Sequence, residues 1–299
     1  MNRRELMRAG AAIGVLPGAL ALADAEMLKK PIPASGEPLP VIGLGTYGVF
    51  NVESTKANIK ARADIVNALI DAGGSVIDTS PMYERSEEVI GEVLSMNRAR
   101  RNCFLATKVW TDGEASGISQ MRKSAELMKA KIIDLMQIHN RRDLDTHWPT
   151  IQKMQEDGSI RYNGVTDYRA GAHDALVSIM ERYNPQFIQI NYSLGEREAE
   201  NRLLPAAADL GVAVLINRPF VAGRLFSAVG DQPLPPWAGE FADSWGQFFL
   251  KFIVSHPAVT CAIPATGKLR HMVDNAAAGH GAMPDAATRK RMVEFIESI

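Results

Sequence analysis

A chain of 299 residues with 46% hydrophobic and 22% charged content can bury a full core and fits one large α/β domain or two small ones. Its net charge of −1 supplies no global field to draw in nucleic acid or an anionic membrane. Cys103 and Cys261 are the whole cysteine complement, each in an apolar strand-like run, so neither a disulfide framework nor a cysteine-rich zinc site follows.

The chain opens with Arg3-Arg4, then Leu6 and Met7, then a charge-free stretch from Ala9 to Ala23. Ala23-Asp24-Ala25 offers the small residues a signal peptidase needs. The apolar run, about 15 residues, is short of the roughly 20 that span a bilayer, and it contains Gly14, Pro17 and Gly18. The arginine pair resembles a twin-arginine signal, the route by which folded proteins are exported. Residues 1–25 are therefore expected to be a signal read by the twin-arginine export machinery. The destination is periplasmic or otherwise exported, with no stable membrane insertion after cleavage. An uncleaved anchor is the alternative, and a non-functional signal would leave the protein cytoplasmic.

From Pro31 to Pro40 the chain is Pro-rich and predicts a small turn or hairpin. Val41 to Thr46 then reads as a first strand and Ala57 to Ala72 as a helix, stopped by Gly73-Gly74. The same unit recurs. Later strand-like runs are Val76 to Thr79, Phe104 to Val109, Ile133 to His139, Asn163 to Thr166, Phe187 to Asn191, Val212 to Asn217 and Thr260 to Pro264. Helix-like stretches lie between and after them, the last from Leu269 to Ala278. Strands apolar on both faces are the signature of a buried parallel sheet. Eight strand–helix pairs in about 250 residues predict a single (β/α)8 TIM barrel over residues 31–299. Gly43-Leu44-Gly45-Thr46-Tyr47-Gly48 matches the glycine spacing of a dinucleotide-binding turn, but no helix pattern begins at Gly48, so a doubly wound sheet is not expected.

Chemistry in such barrels is assembled at the carboxyl ends of the strands. The second strand ends at Asp78, the third carries Lys108, the fourth ends at His139, and Tyr83 lies on the loop after the second. Taken singly, a strand-end Asp caps a helix, a Lys is surface and a lone His is a satisfied core residue. Their joint placement on one rim points to catalysis. The set suits proton donation to a carbonyl oxygen. A phenol with a pKa near 10 is a sluggish acid at neutral pH. A Lys ammonium at about 4 Å contributes roughly 4 kcal/mol in a partly shielded site, enough to bring Tyr83 into range. Asp78 would keep Lys108 charged, and His139 would orient the carbonyl. Trp110, just past Lys108, is a candidate wall of the substrate pocket. His173, His256 and His280 share no metal-ligand spacing, and no metal site is expected.

With these motifs in place, the sequence resembles an aldo-keto reductase from Val41 to about Asn275. The carrying segments are Asp78-Thr79 with Tyr83 and Ser86-Glu87-Glu88 to Gly91, Thr107-Lys108, and Asp134-Leu135 leading to Ile138-His139. The resemblance implies a catalytic tetrad of Asp78, Tyr83, Lys108 and His139, and NADPH or NADH held over the carboxyl end of the barrel. It also implies cofactor contacts. Thr166 and Asp167 stand where the family has a Ser-Asn pair holding the nicotinamide carboxamide, and Gln189 matches its strand-six glutamine. Asp167 departs from the pattern, because an ionised carboxylate only accepts. Asn217 stands where many relatives stack a Tyr on the ring. Arg218 and backbone amides from Phe220 to Gly223 are expected at the pyrophosphate. Thr266, Lys268, His271 and Asn275 are expected at the adenosine end, favouring NADP(H) with NAD(H) possible.

The function so implied is reduction of an aldehyde or ketone to an alcohol, hydride coming from nicotinamide and proton from Tyr83. Two alternatives stand beside it. One is a cofactor-binding redox-sensing module or subunit without efficient turnover; the other is a lyase using Lys108 as a Schiff-base nucleophile. Substrate identity is left to loops, of which Ser227 to Glu240, with Pro233, Pro235, Pro236 and Trp237, is the longest.

Overall fold

The computed structural model describes residues 26–96 and 99–299, and the expected export signal lies outside them. A hairpin of β1 (Lys29–Pro31) and β2 (Pro38–Pro40) precedes eight parallel strands. These are β3 (Leu44–Gly45), β4 (Val76–Asp78), β5 (Phe104–Val109), β6 (Ile133–Ile138), β7 (Ile160–Asp167), β8 (Phe187–Asn191), β9 (Ala213–Asn217) and β10 (Cys261–Ala262). Each pairs with its neighbours in sequence order. Parallel bridges Ile42↔Ala262 and Gly45↔Ala265 join the first barrel strand to the last.

Those closing strands are shorter than the sequence predicts, with two residues each in place of runs over Val41–Thr46 and Thr260–Pro264. A barrel closes with stagger, and Pro264 accepts from Gly45 N–H at 3.1 Å but has no N–H to return. The glycine pattern here serves closure. A Cβ on Gly43 would sit 2.8 Å from Val76 Cβ, and one on Gly45 would sit 2.7 Å from the Ile263 carbonyl.

The helices are α1 (Lys56–Asp71), α2 (Ser86–Met96), α3 (Glu114–Leu127), α4 (Leu144–Glu156), α5 (His173–Tyr183), α6 (Leu203–Asp209), α7 (Arg224–Val229), α8 (Trp245–Val254), α9 (Leu269–Ala277) and α10 (Ala286–Glu297). Sequence periodicity did not anticipate α10 or the short α7. Among the described residues, no helix is long and apolar enough to cross a membrane.

Strand alternation builds two cores. Ile77, Leu105, Met136 and Ile188 belong to the cluster that includes the helix residues Val66, Leu69, Val89 and Val93. Val76, Phe104, Ala106, Leu135, Phe187 and Leu215 form a separate cluster inside the barrel, joined by Ile32 and Leu39 from the hairpin segment. The period of two then fixes the next interior layer. Asp78 follows Val76, Lys108 follows Ala106, Gln137 follows Leu135 and Gln189 follows Phe187. The apolar barrel interior thus ends in a polar layer at the carboxyl rim.

Candidate active site

Asp78 and Lys108 are both buried, and a charge in such a place must be paired. Lys108 Nζ donates to Asp78 Oδ2 at 2.6 Å and to the Thr79 carbonyl at 2.8 Å. Asp78 Oδ1 accepts from the side-chain amides of Gln189 at 2.8 Å and Gln137 at 3.1 Å. Burial alone would lower the Lys108 pKa, but the Asp78 charge and Tyr83 reverse this and leave it raised. A lysine held charged is no nucleophile, which counts against Schiff-base chemistry.

Tyr83 ends a one-turn 3-10 helix, Pro81–Tyr83, capped by Ser80 Oγ, which accepts from Met82 N–H at 3.2 Å. Lys108 Nζ lies 5.0 Å from the centre of its ring. Burial raises the Tyr83 pKa; Lys108 opposes that without overcoming it. The expected depression of the phenol is therefore absent, because the desolvation that strengthens the ammonium's field also penalises the phenolate. Tyr83 keeps its proton through neutral pH.

His139 Nδ1 lies 3.0 Å from Ser80 Oγ. That oxygen already accepts from Met82, so its own proton is available to Nδ1, which leaves Nε2 carrying the ring N–H. Burial, with Lys108 adding to it, lowers the His139 pKa to about 3. The ring is therefore a neutral donor. The turn after it is strained, with positive φ at Asn140, Arg141 and Asp143. It is held by Asn140 N–H donating to Thr166 Oγ1 at 3.1 Å and by Arg141 Nε donating to Asp167 at 2.8 Å.

A cavity of about 870 Å³ opens over this centre, lined by Asp78, Tyr83 and His139, then Thr166, Gln189, Asn217, Arg218 and Phe220, and finally Thr266, His271 and Asn275. That volume suits a large ligand or cofactor. The structure thus brings most of the expected residues to one wall. Four expected residues are not on it. Lys108 acts from behind Tyr83. Asp167 is buried and accepts from Arg141 and from Arg169 Nε at 2.9 Å and Nη2 at 2.7 Å, so its carboxylate serves an ion-pair cluster. Trp110 packs its ring 5.0 Å from that of His139 and lies beneath Arg142, 4.8 Å away; it supports the imidazole. Lys268 presents its backbone N–H to Thr266 Oγ1 at 3.1 Å.

Tyr47, Phe226 and Trp245 line the same cavity and were not singled out from the sequence. Tyr47 is 64% exposed and its ring meets Tyr83 edge-on at 5.1 Å. An aromatic directly after the first barrel strand was the available signal. Among the described residues, no group of His, Cys, Asp or Glu is arranged to hold a metal ion.

A closed parallel barrel whose carboxyl rim gathers a phenol, an ammonium, a carboxylate and an imidazole beside a long cavity defines an α/β-barrel enzyme with an acid–base centre. The chain belongs to the aldo/keto reductase family, whose model matches residues 41–290. It is 25% identical over 246 residues to glyoxal reductase of Bacillus subtilis (strain 168), covering 81% of this chain and 84% of that protein. An aldo/keto reductase from Klebsiella pneumoniae in complex with NADP and acetate superposes with a TM-score of 0.74 at 25% identity, over 87% of this chain and 93% of that one. A Klebsiella pneumoniae aldo-keto reductase in complex with NADPH matches with a TM-score of 0.71 at 25% identity, over 90% and 96%.

Proposed function

We propose that the protein reduces an aldehyde or ketone with NADPH. The observation that carries this is the contact of Tyr83 with the Lys108–Asp78 pair at the inner end of the cavity. When bound, the nicotinamide supplies a hydride to the carbonyl carbon. Tyr83 holds a proton at Oη beside the site and releases it to the carbonyl oxygen as negative charge develops there. Lys108, kept cationic by Asp78, stabilises the phenolate left behind. His139, neutral and donating through Nε2, orients the carbonyl.

The site residues fit the cofactor. Asn275, Thr266 and His271 line the cavity, and the His271 pKa is lowered mainly by burial and then by the neighbouring charges of Arg270 and Lys268, two cations suited to a phosphate. The NADP and NADPH complexes among the relatives support the same choice. Replacing Tyr83 by Phe should abolish turnover over a panel of small carbonyls while the NADPH Kd stays within twofold. Retained turnover in that variant would end the reading. Tight NADPH binding by the native protein without turnover on any carbonyl would favour a redox-sensing module instead.

The twin-arginine reading of residues 1–25 makes this an exported reductase that carries its cofactor out already folded around it. Fractionation of cells expressing the native chain and an Arg3→Lys/Arg4→Lys variant checks it. Equal periplasmic yield of the two would remove the twin-arginine route.

A further inference from the structure

The polar groups at the inner end of the cavity are not equally free to meet a ligand. Asp78 Oδ1 takes the Gln189 amide nitrogen at 2.8 Å, and that commitment fixes Gln189 Oε1 as an acceptor. The Asn217 amide nitrogen faces this oxygen at 3.4 Å. The orientation of Asn217 is thus set from the catalytic carboxylate outward, and its Oδ1 is the opposite corner. This oxygen is buried without a hydrogen-bond partner, on a residue that lines the cavity. A buried acceptor left in that state is completed by an N–H from a ligand.

Thr166 supplies the complementary group. It pairs with Gln189 in the strand register, so it flanks the same glutamine. Its Oγ1 accepts from Asn140 N–H, which leaves the hydroxyl proton free to donate. Asp167, the next residue, is committed to Arg141 and Arg169.

An acceptor and a donor flanking one glutamine match a primary carboxamide, which offers an NH2 and a carbonyl on one carbon. We propose that Asn217 Oδ1 accepts from the carboxamide NH2 of the nicotinamide, opposite Thr166, which the family resemblance already places at that carboxamide. The chain then recognises the ring by its edge at the position where a stacking aromatic is lacking. The inference rests on the nicotinamide cofactor proposed above.

Equilibrium binding separates the two. NADP+ and its 3-acetylpyridine analogue share the carbonyl and differ in the NH2, and tryptophan quenching reports the Kd of each. The native protein should bind NADP+ about tenfold more tightly, about 1.4 kcal/mol. Asn217→Leu should bind both alike, near the native affinity for the analogue. Equal affinities in the native protein overturn the inference without recourse to any variant. A preference that survives in Asn217→Leu also overturns it, because the acceptor is then elsewhere. Absence of binding by either dinucleotide overturns the cofactor reading itself, and this inference with it.

Discussion

Each end of the barrel encloses a lysine, and the two meet opposite fates. At the carboxyl rim Lys108 is paired with Asp78 and its pKa is raised. At the opposite end Lys30, in the hairpin, donates to the carbonyls of His256 at 2.6 Å and Val259 at 2.7 Å. Burial, with Arg289 repelling it, lowers the Lys30 pKa to about 8. A carbonyl offers a dipole where a carboxylate offers a charge, and only the charge outweighs desolvation. The rim cation also lies beside a phenol and a cavity, whereas the hairpin cation ties β1 to the connection between α8 and β10. The same pairing of ammonium and oxygen thus stands at the site proposed for reaction at one end and fastens the hairpin at the other.

The largest expected effect breaks this contrast directly. Lys108→Met should lower kcat by about 10²–10⁴-fold, the range for a disabled proton donor. It should also cost about 3–5 kcal/mol of stability, since Asp78 is left buried and unpaired. Lys30→Met should leave kcat unchanged. Steady-state kinetics and urea unfolding of the two variants read both quantities, and a Lys108→Met protein with native turnover would dissolve the distinction between the ends.

Next in size is the clamp on α10. Arg289 donates to the Phe252 carbonyl, to Ser255 Oγ at 3.1 Å, to Tyr192 Oη at 2.7 Å and to Glu200 Oε1 at 2.8 Å, with its guanidinium carbon 4.1 Å from the centre of the Phe252 ring. Arg289→Ala should cost about 2–3 kcal/mol, because several buried acceptors lose their donor together. Turnover at 25 °C should not change. A loss of kcat without loss of stability would mean that this end also serves the reaction.

The rim was legible in the sequence, and so was the hairpin itself, whereas the contacts that fasten the hairpin end were not. Asp78, Lys108 and His139 stand at the ends of apolar runs, where a period of two and the barrel's polarity assign them to one place. The hairpin end is made by long-range partners that no local pattern announces. Lys30 reaches residues 226 and 229 positions away, and Arg289 belongs to α10, in which Met292 is the one buried residue, too sparse an apolar pattern to announce a helix. The partners of the expected cofactor residues were hidden for the same reason. The family resemblance places Asp167 at the nicotinamide carboxamide, and in the structure Arg141, 26 residues earlier, pairs with it. The same resemblance makes Gln189 a carboxamide partner, and its nitrogen donates to Asp78, 111 residues away.

Acid exposes both ends through their imidazoles. His139 is lowered to about 3 by burial and then Lys108; His256 is lowered to about 4 by burial and then Arg289. In the unfolded chain both titrate near 6.5. The unfolded state therefore binds more protons as pH falls below 6.5, and stability present above that value is progressively lost toward pH 4 and 3. His256 Nδ1 accepts from Ala258 N–H at 3.2 Å, a role a Gln carbonyl can take. His256→Gln should recover about 1–2 kcal/mol of the loss between pH 6.5 and 4, after allowance for solvent screening. The rim share should persist in that variant, and kcat should show no imidazole limb between pH 5 and 8. An inflection near 6.5 in kcat would mean that His139 titrates in the working enzyme.

The smallest effect is alkaline and is read at Lys30; Lys251, also lowered by burial to about 8, contributes equally to the native and variant proteins. Its folded pKa of about 8 lies below the 10.5 of a free lysine, so between those values the unfolded chain holds more protons and stability rises with pH. Lys30→Met removes this dependence. Native and variant stabilities should therefore move relative to one another by about 1 kcal/mol from pH 7 to 9.5, in favour of the native protein, once screening is allowed for. Lys108 gives no such gain, because its pKa is displaced upward. Parallel unfolding curves for native and Lys30→Met proteins across that range would show that the two carbonyls hold the ammonium as well as a carboxylate does, and would erase the difference between the two ends.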